Sequence, residues 1–288
     1  MKRIFLSISI ILLLLGCEKE ISIPAEDHVD TLVIEGSIEL NEKAHVAVSL
    51  NQNFYDPFSL LNIYSYVLTD ATVILSDGTN FEELKLKTDY DYFPPFFYES
   101  KNILGKPGRT YTLTVSWENL NAFGITTMPK PTTLDSVWFI PSEEVVSDSL
   151  GSIGYRYADP DTAGNNHFIT YSRKGIDPRF YNANAPARTD QLVNGTTYNS
   201  SFSRGATNAE KALPEANRPW DYGYFVRGQE VEIKWSAMDQ TTYDFWESLG
   251  NNNSGNILTT PSNVKSTVVG GFGVWAAYAP YKVTLVIP

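Results

Sequence analysis

Short runs in which apolar and polar residues alternate predict β-strands along most of the chain. The clearest run covers residues 110–117. Its apolar positions share one face, and they are Tyr111, Leu113, Val115 and Trp117. Because successive side chains of a strand point to opposite faces of a sheet, this run has the period of a strand with one buried face.

Similar runs, separated by turn residues such as Asp77-Gly78, predict the remaining strands. The predicted strands cover residues 31–39, 44–50, 71–76, 81–87, 110–117, 122–127, 134–140, 152–158, 166–173, 222–227, 229–236, 267–276 and 281–287. Many short strands with regular turn signals are typical of sandwiches. The sequence therefore predicts an all-β fold, with an N-terminal Ig-like β-sandwich followed by a second mainly-β domain with one short helix.

Two prolines, Pro129 and Pro131, interrupt the strand pattern. Proline cannot donate to a strand ladder, so we predict a domain boundary here. The Ig-like domain then covers residues 31–129, and the C-terminal mainly-β domain with long loops covers residues 130–288. Residues 175–220 of the second domain are predicted to be irregular. Because long loops in compact domains are usually functional or poorly ordered, this segment is the first candidate for a binding surface.

One helix is predicted at residues 239–249. Asp239 is suited to cap its N-terminus, and Gly250 with the asparagines that follow is predicted to end it. Tyr243 and Trp246 lie on an apolar stripe with Leu249, which we interpret as core packing.

The N-terminus predicts export and lipidation. A basic pair and an apolar run at residues 4–15 precede Gly16-Cys17, and the run is too short for a transmembrane helix. We predict a signal peptide at residues 1–16, a diacylglyceryl group on Cys17 and a lipidated tether at residues 17–30. The expected location is the outer membrane, at its periplasmic or cell-surface face. The alternative is an ordinary signal peptide with an incidental cysteine.

Charge and cysteine content narrow the function classes. The sequence has a formal net charge of −11, and removal of residues 1–16 with their two basic groups leaves −13. This balance argues against a nucleic-acid partner. Cys17 is the only cysteine, so the chain has no second thiol for an internal disulfide.

Catalytic and cofactor motifs do not stand out. The three histidines His28, His45 and His167 lack metal-ligand spacing, and no nucleophile elbow is present. Gly270-Gly271-Phe272-Gly273 lacks the context of a nucleotide fingerprint and indicates a bulge or a close backbone approach. We predict no cofactor, no metal and no enzyme, although a catalytic carboxylate pair stays open as an alternative.

Two aromatic segments are the candidate binding surface. Aromatic faces suit sugars, peptides or a protein partner, and the expected ligand is a glycan, a peptide or a small nutrient. The alternative is that these loops cover the open end of the sandwich. The candidate residues are Tyr90, Tyr92, Phe93, Phe96, Phe97, Tyr98, Tyr55 and Phe58.

Several segments together resemble the lipoproteins of domain-of-unknown-function family 4249. They are residues 33–36, 69–78, 105–115, 126–129, 134–137, the predicted helix, 262–264 and 270–273. The resemblance covers essentially all of the mature chain. It implies a Bacteroidota-type outer-membrane lipoprotein, often encoded beside a TonB-dependent transporter, and it supplies no catalytic residues.

The favoured hypothesis is a ligand-binding or accessory lipoprotein that works with a TonB-dependent outer-membrane transporter. A structural or adhesive surface lipoprotein with an Ig-like spacer is the alternative. A glycan- or peptide-acting enzyme is the third.

Overall fold

The computed structural model describes residues 29–52, 65–92, 94–143, 148–253 and 263–288. Within these ranges the chain forms β-strands, one long helix and two short helical turns. The strands are β1 Leu32–Glu39, β2 Lys43–Leu50, β3 Thr72–Ser76, β4 Phe81–Glu83, β5 Lys85–Thr88, β6 Phe96–Leu104, β7 Thr110–Trp117, β8 Leu120–Thr127, β9 Ser136–Pro141, β10 Leu150–Ala158, β11 Asn166–Arg173, β12 Tyr181–Thr189, β13 Thr197–Phe202, β14 Phe225–Val226, β15 Glu230–Met238, β16 Val268–Val269 and β17 Gly271–Val286. The helices are α1 Asn208–Lys211, a 3-10 turn Glu215–Asn217 and α2 Gln240–Asn253. The prediction of an all-β fold is confirmed.

An eight-stranded sheet forms the centre of the fold, in the order β12-β11-β15-β17-β1-β2-β6-β5. Its longest strand, β17, has 16 residues and pairs with two neighbouring strands. The first half of β17 pairs in parallel with β1, and the second half pairs antiparallel with β15. The sheet is therefore centred on the first and last strands of the described chain.

Gly273 permits the close approach of β17 to β1. Its φ is +111°, and a Cβ at this position would lie 1.9 Å from the Ile34 carbonyl oxygen. Glycine accepts this backbone conformation without a steric penalty. The prediction that the glycines at residues 270–273 mark a close backbone approach is confirmed.

The first hydrophobic core lies between one part of this sheet and a five-stranded sheet of order β16-β8-β7-β3-β4. The alternation predicted for residues 110–117 is confirmed, since Tyr111, Leu113 and Val115 are buried in this core. Trp275 of β17 is also fully buried there, and its Nε1 donates to the Tyr111 carbonyl oxygen at 3.1 Å. The strands of the first part of the chain thus form a β-sandwich to which the C-terminal strand β17 also contributes.

The second core lies between strands β11, β15 and β17 and a smaller sheet made of β9, β10, β13 and β14. Trp235 packs against both Tyr155 and Tyr157 at its centre, and the ring centroids lie 5.1 Å apart in each pair. The second core is built entirely from residues after the predicted boundary at residues 129/130, whereas the first core also takes Ala237, Val268 and Trp275 from beyond it. Residues 31–288 form one compact unit, because β17 contributes side chains to both cores.

The predicted helix is present as α2, and its cap is confirmed. Asp239 Oδ1 accepts a hydrogen bond from the Thr242 amide at 2.9 Å. The helix continues to Asn253, so its predicted end at residue 249 was four residues early. Glycine in the last turn weakens a helix without ending it when the following residues remain helical.

The prediction that residues 175–220 are irregular was wrong. This stretch contains strands β12 and β13, each at the edge of its sheet. Their sequences, YNANAPART and TYNSSF, are poor in the β-branched and aliphatic residues that mark strands. An edge strand forms because its neighbour supplies the hydrogen bonds, which sequence alternation alone does not reveal.

Candidate functional site

A concave cleft lies on the face of the eight-stranded sheet that points away from the first core. Alternation sets its floor, because Leu32, Ile34 and Ile38 of β1 are buried in the core and the residues between them point the other way. The cleft has a volume of about 770 Å³. We call it the sheet cleft, and its floor residues from β1 and β2 are Glu35, Ser37, Glu39, Lys43, His45 and Ala47.

Aromatic side chains form the walls of the sheet cleft. On one side, Tyr92 and Phe97 pack around His45, with ring centroids 5.3 Å and 4.2 Å from the imidazole. On the other side, Trp246 of α2 donates from Nε1 to the Tyr278 hydroxyl at 2.7 Å. Each wall is therefore held by contacts within the wall.

The segment before β12 closes one end of the sheet cleft. Phe180 lines the cleft, and Lys234 Nζ lies 4.3 Å from the centroid of its ring. Arg179, the preceding residue, donates from NH1 to the Asp91 carbonyl oxygen at 3.3 Å. This hydrogen bond joins the segment to the aromatic turn across the cleft.

Two carboxylates of the sheet cleft are neutralised by lysines. Lys234 Nζ lies 2.6 Å from Glu39 Oε2, and Lys43 Nζ lies 2.8 Å from Glu99 Oε2. Desolvation lowers the pKa of His45, and Glu99, whose Oε1 lies 3.5 Å from His45 Nε2, opposes this shift. The floor thus carries charges that are mostly compensated within the protein.

Glu35 is the exception on the floor. Its side chain is open to the cleft, yet desolvation by the surrounding protein raises the pKa of its carboxyl group. Its register partners are the small or apolar Ala47 on β2 and Val274 on β17. Among the described residues, the charged group that acts on it is Arg179, at electrostatic range and without a hydrogen bond.

A smaller compartment of about 240 Å³ continues the sheet cleft beyond Pro94. Its lining is more apolar and includes Val33, Leu50 and Val67. Glu35, Ala47 and Pro94 line both compartments. Glu35 therefore lies where the two compartments meet.

Comparison with known proteins gives one family. The sequence model of DUF4249, described as a domain of unknown function, matches residues 18–283. This chain belongs to the DUF4249 family. The comparison with curated proteins finds no match.

The match confirms the resemblance drawn from the sequence segments. The matched residues of this DUF4249 protein include the whole first hydrophobic core, all of the second except its C-terminal residues Leu285 and Ile287, and every residue that lines the sheet cleft. The cleft is therefore part of the family domain and not an appendage to it.

The structure divides the predicted aromatic surface of this DUF4249 protein. Tyr92 and Phe97 line the sheet cleft, whereas Tyr90 is 83% exposed on the turn outside it. Tyr98 is buried, and its hydroxyl accepts from the Ala71 amide at 2.8 Å. The remaining candidates have other positions. Phe96 is half-buried on β6. Phe93, Tyr55 and Phe58, like Cys17, whose lipidation is a prediction, lie outside the described residues.

Sequence reasoning missed Glu35 and the residues that face it. Glu35 and Glu39 occupy the polar positions of a strand whose apolar positions point to the core, a pattern that indicates a solvent-facing side. Trp246 was interpreted as core packing, and it does pack on Phe168 with ring centroids 4.6 Å apart. The alternation in β1 was the available signal, but it does not show which other elements stand around that face.

The described ranges contain no group of three or more histidine, cysteine, aspartate or glutamate side chains placed to hold a metal ion. They also contain no helix with the length and apolarity needed to cross a bilayer.

Proposed function

We propose that this DUF4249 protein is a lipid-anchored, extracytoplasmic binding protein whose sheet cleft captures a ligand. The cleft volume of about 770 Å³ is the observation that carries the proposal. It falls within the range of about 300–1,000 Å³ that is usual for small-molecule sites. Aromatic walls around a polar floor supply both contact area and directional hydrogen bonds.

The proposed anchor is a diacylglyceryl group on Cys17, with residues 17–30 as the tether. Acyl chains contribute about 0.8 kcal/mol for each buried methylene group, so two or three chains hold a protein firmly on a membrane. Under this proposal the binding domain stands at the outer membrane, on its periplasmic or cell-surface face. The lipobox before Cys17 supports it.

The proposed partner is a TonB-dependent outer-membrane transporter that receives the captured ligand. The family resemblance supports this pairing. A pull-down of the full-length lipoprotein from native membranes in mild detergent should recover such a transporter. Recovery of the lipoprotein without one would remove this part of the proposal.

The cleft can be tested with paired tryptophan variants. Ala47 lines both compartments, so Ala47→Trp fills the cleft from its floor. Thr114→Trp is the matched control, because Thr114 is exposed on the five-stranded sheet. The mature lipoprotein is titrated calorimetrically with a panel of oligosaccharides, short peptides and small nutrients.

Binding of any panel member that Ala47→Trp abolishes and Thr114→Trp retains supports the proposal. Binding that both variants retain would place the ligand elsewhere. Turnover of a panel glycan or peptide by the purified protein would overturn the assignment as a binding protein without enzymatic activity.

An adhesive or structural role is the second candidate, and an exposed apolar patch favours it. Phe123, Ile125 and Val269 are 44%, 53% and 59% exposed on the strands β8 and β16 of the five-stranded sheet. Contiguous exposed apolar residues mark interaction surfaces. The test is binding of the lipoprotein to cells or to matrix. This role is favoured if the double variant Phe123→Ser with Ile125→Ser abolishes that binding and Ala47→Trp does not.

A further inference from the structure

The charges on the floor of the sheet cleft limit which ligands it can accept. A ligand that enters the cleft displaces water from the floor, and each charged group there then needs a partner of opposite sign. Glu39 and Glu99 already have lysines at 2.6 Å and 2.8 Å. Glu35 has no hydrogen bond or ion pair among the described residues.

The surroundings of Glu35 increase the cost of covering it with a neutral ligand. Its register partners, Ala47 and Val274, offer no polar side chain. Arg179 does not pair with it, because its guanidinium is used at the Asp91 carbonyl oxygen and lies 5.4 Å from the Tyr181 ring centroid. An ionised carboxylate left in this position under a neutral ligand would lose hydration without compensation.

The walls of the sheet cleft favour a cation as well. Aromatic faces carry negative potential and attract ammonium and guanidinium groups. The protein already uses this property within the cleft, where Lys234 Nζ lies 4.3 Å and Lys282 Nζ 5.8 Å from the Phe180 ring centroid. An anionic ligand would instead meet the unpaired carboxylate of Glu35.

We infer that the sheet cleft takes a ligand with a positively charged nitrogen group, an ammonium or a guanidinium, and that the Glu35 carboxylate is its anchor. This inference rests on the proposed function and names the ligand class of the same site. Because Glu35 lies where the compartments meet, the cation occupies that junction. The rest of the ligand extends along the aromatic walls.

Two pairs of probes test the charge on the ligand. Nα-acetyl-arginine amide is compared with Nα-acetyl-citrulline amide, its neutral isostere. Nα-acetyl-lysine amide is compared with Nα,Nε-diacetyl-lysine amide. Each probe is titrated into the mature lipoprotein by calorimetry and by NMR, so that weak binding is measured as well.

The cationic member of at least one pair should bind about tenfold or more tightly than its neutral partner, which corresponds to about 1.4 kcal/mol. Glu35→Gln should remove that difference, because it keeps the side-chain size and removes the charge. Glu118→Gln is the matched control, since it removes the same charge from the exposed turn between β7 and β8. Thermal unfolding checks that both variants are folded.

Equal affinities within both pairs, a preference that survives in Glu35→Gln, or no binding by any of the four probes would each overturn the inference. The proposed function would still hold after any of these outcomes if a neutral member of the wider panel binds the wild-type protein and Ala47→Trp abolishes that binding. If no panel member binds in that manner, the proposed function itself fails. The two failures are thus distinguishable.

Discussion

Acid should destabilise this protein through one buried histidine, His167. Its side chain is almost fully buried, and desolvation lowers its pKa to about 3. Its Nε2 lies 2.7 Å from Thr132 Oγ1, and its ring stacks on Trp235 with centroids 4.2 Å apart. The folded protein therefore holds His167 neutral under conditions in which an exposed histidine takes up a proton.

The size of the effect follows from proton linkage. An unfolded histidine has a pKa of about 6.5, so below that pH the unfolded chain binds a proton that the folded chain does not. Stability is therefore fully present above pH 6.5 and declines as the pH falls toward the folded-state pKa of about 3. Between pH 7.5 and pH 5.0 the loss from this residue alone is about 2 kcal/mol.

Urea unfolding of the protein at pH 7.5 and 5.0 measures this loss. His167→Gln should show a decline that is smaller by about 2 kcal/mol, because glutamine does not titrate. His45→Gln is the control. Desolvation lowers the pKa of His45 too, but its side chain is 33% exposed and Glu99 opposes the shift, so this variant should keep most of the wild-type decline. An equally steep decline in His167→Gln and in the wild type would refute the reasoning. An NMR titration that places the pKa of folded His167 above 6 would refute it as well.

Three further predictions concern stability, each measured by urea unfolding at neutral pH. Gly273→Ala should lower the free energy of unfolding by more than about 3 kcal/mol, because its Cβ would meet a carbonyl oxygen of β1 at 1.9 Å. Gly78→Ala should lower it by about 1–2 kcal/mol, since Gly78 also has a positive φ, +83°, but lies in open space. Equal losses in the two variants would contradict this account. Arg204→Met should lower the free energy of unfolding by about 3–5 kcal/mol, because its fully buried guanidinium pairs with the Glu210 carboxylate at 2.8 Å and donates to two backbone carbonyls. Lys85→Met is the control and should lower it by less than about 1 kcal/mol, because the Lys85 ion pair is exposed. A similar loss in both would show that burial is not the cause. Asp239→Ala should cost about 1–2 kcal/mol, because it removes both the α2 cap and the carboxylate oxygen that accepts from the Thr126 hydroxyl at 2.7 Å. Asp239→Asn should restore only the share of the cap, because its amide has one acceptor oxygen, and no recovery at all would count against the cap.

The strands with strong alternation were predictable to the residue. Strands β7 and β11 have the bounds that their sequences predicted, because each has a buried face and two neighbours in its sheet. Strand β12 was not predictable, since it contains alanine, asparagine and proline and owes its conformation to β11. Local pattern is informative where burial selects the residues, and it is weak at an edge.

The sheet cleft was harder to predict than the strands that form it. The aromatic residues of its first wall, Tyr92 and Phe97, stood out in the sequence, but Glu35 had the pattern of an ordinary solvent-facing position. Phe180 and Trp246 reach the same cleft from distant parts of the chain. Only the order of strands in the sheet brings these residues together, and that order is not encoded in any one segment.

The pairing of β17 with β1 also determines when the protein can finish folding. Strand β1 leaves the ribosome well before β17, yet the two form adjacent strands at the middle of the sheet. Contacts with so large a sequence separation form late and slowly, because a long loop must close before they are gained. A chain that ends before β17 would lack the strand between β15 and β1, so neither hydrophobic core would be complete until β17 has been synthesised.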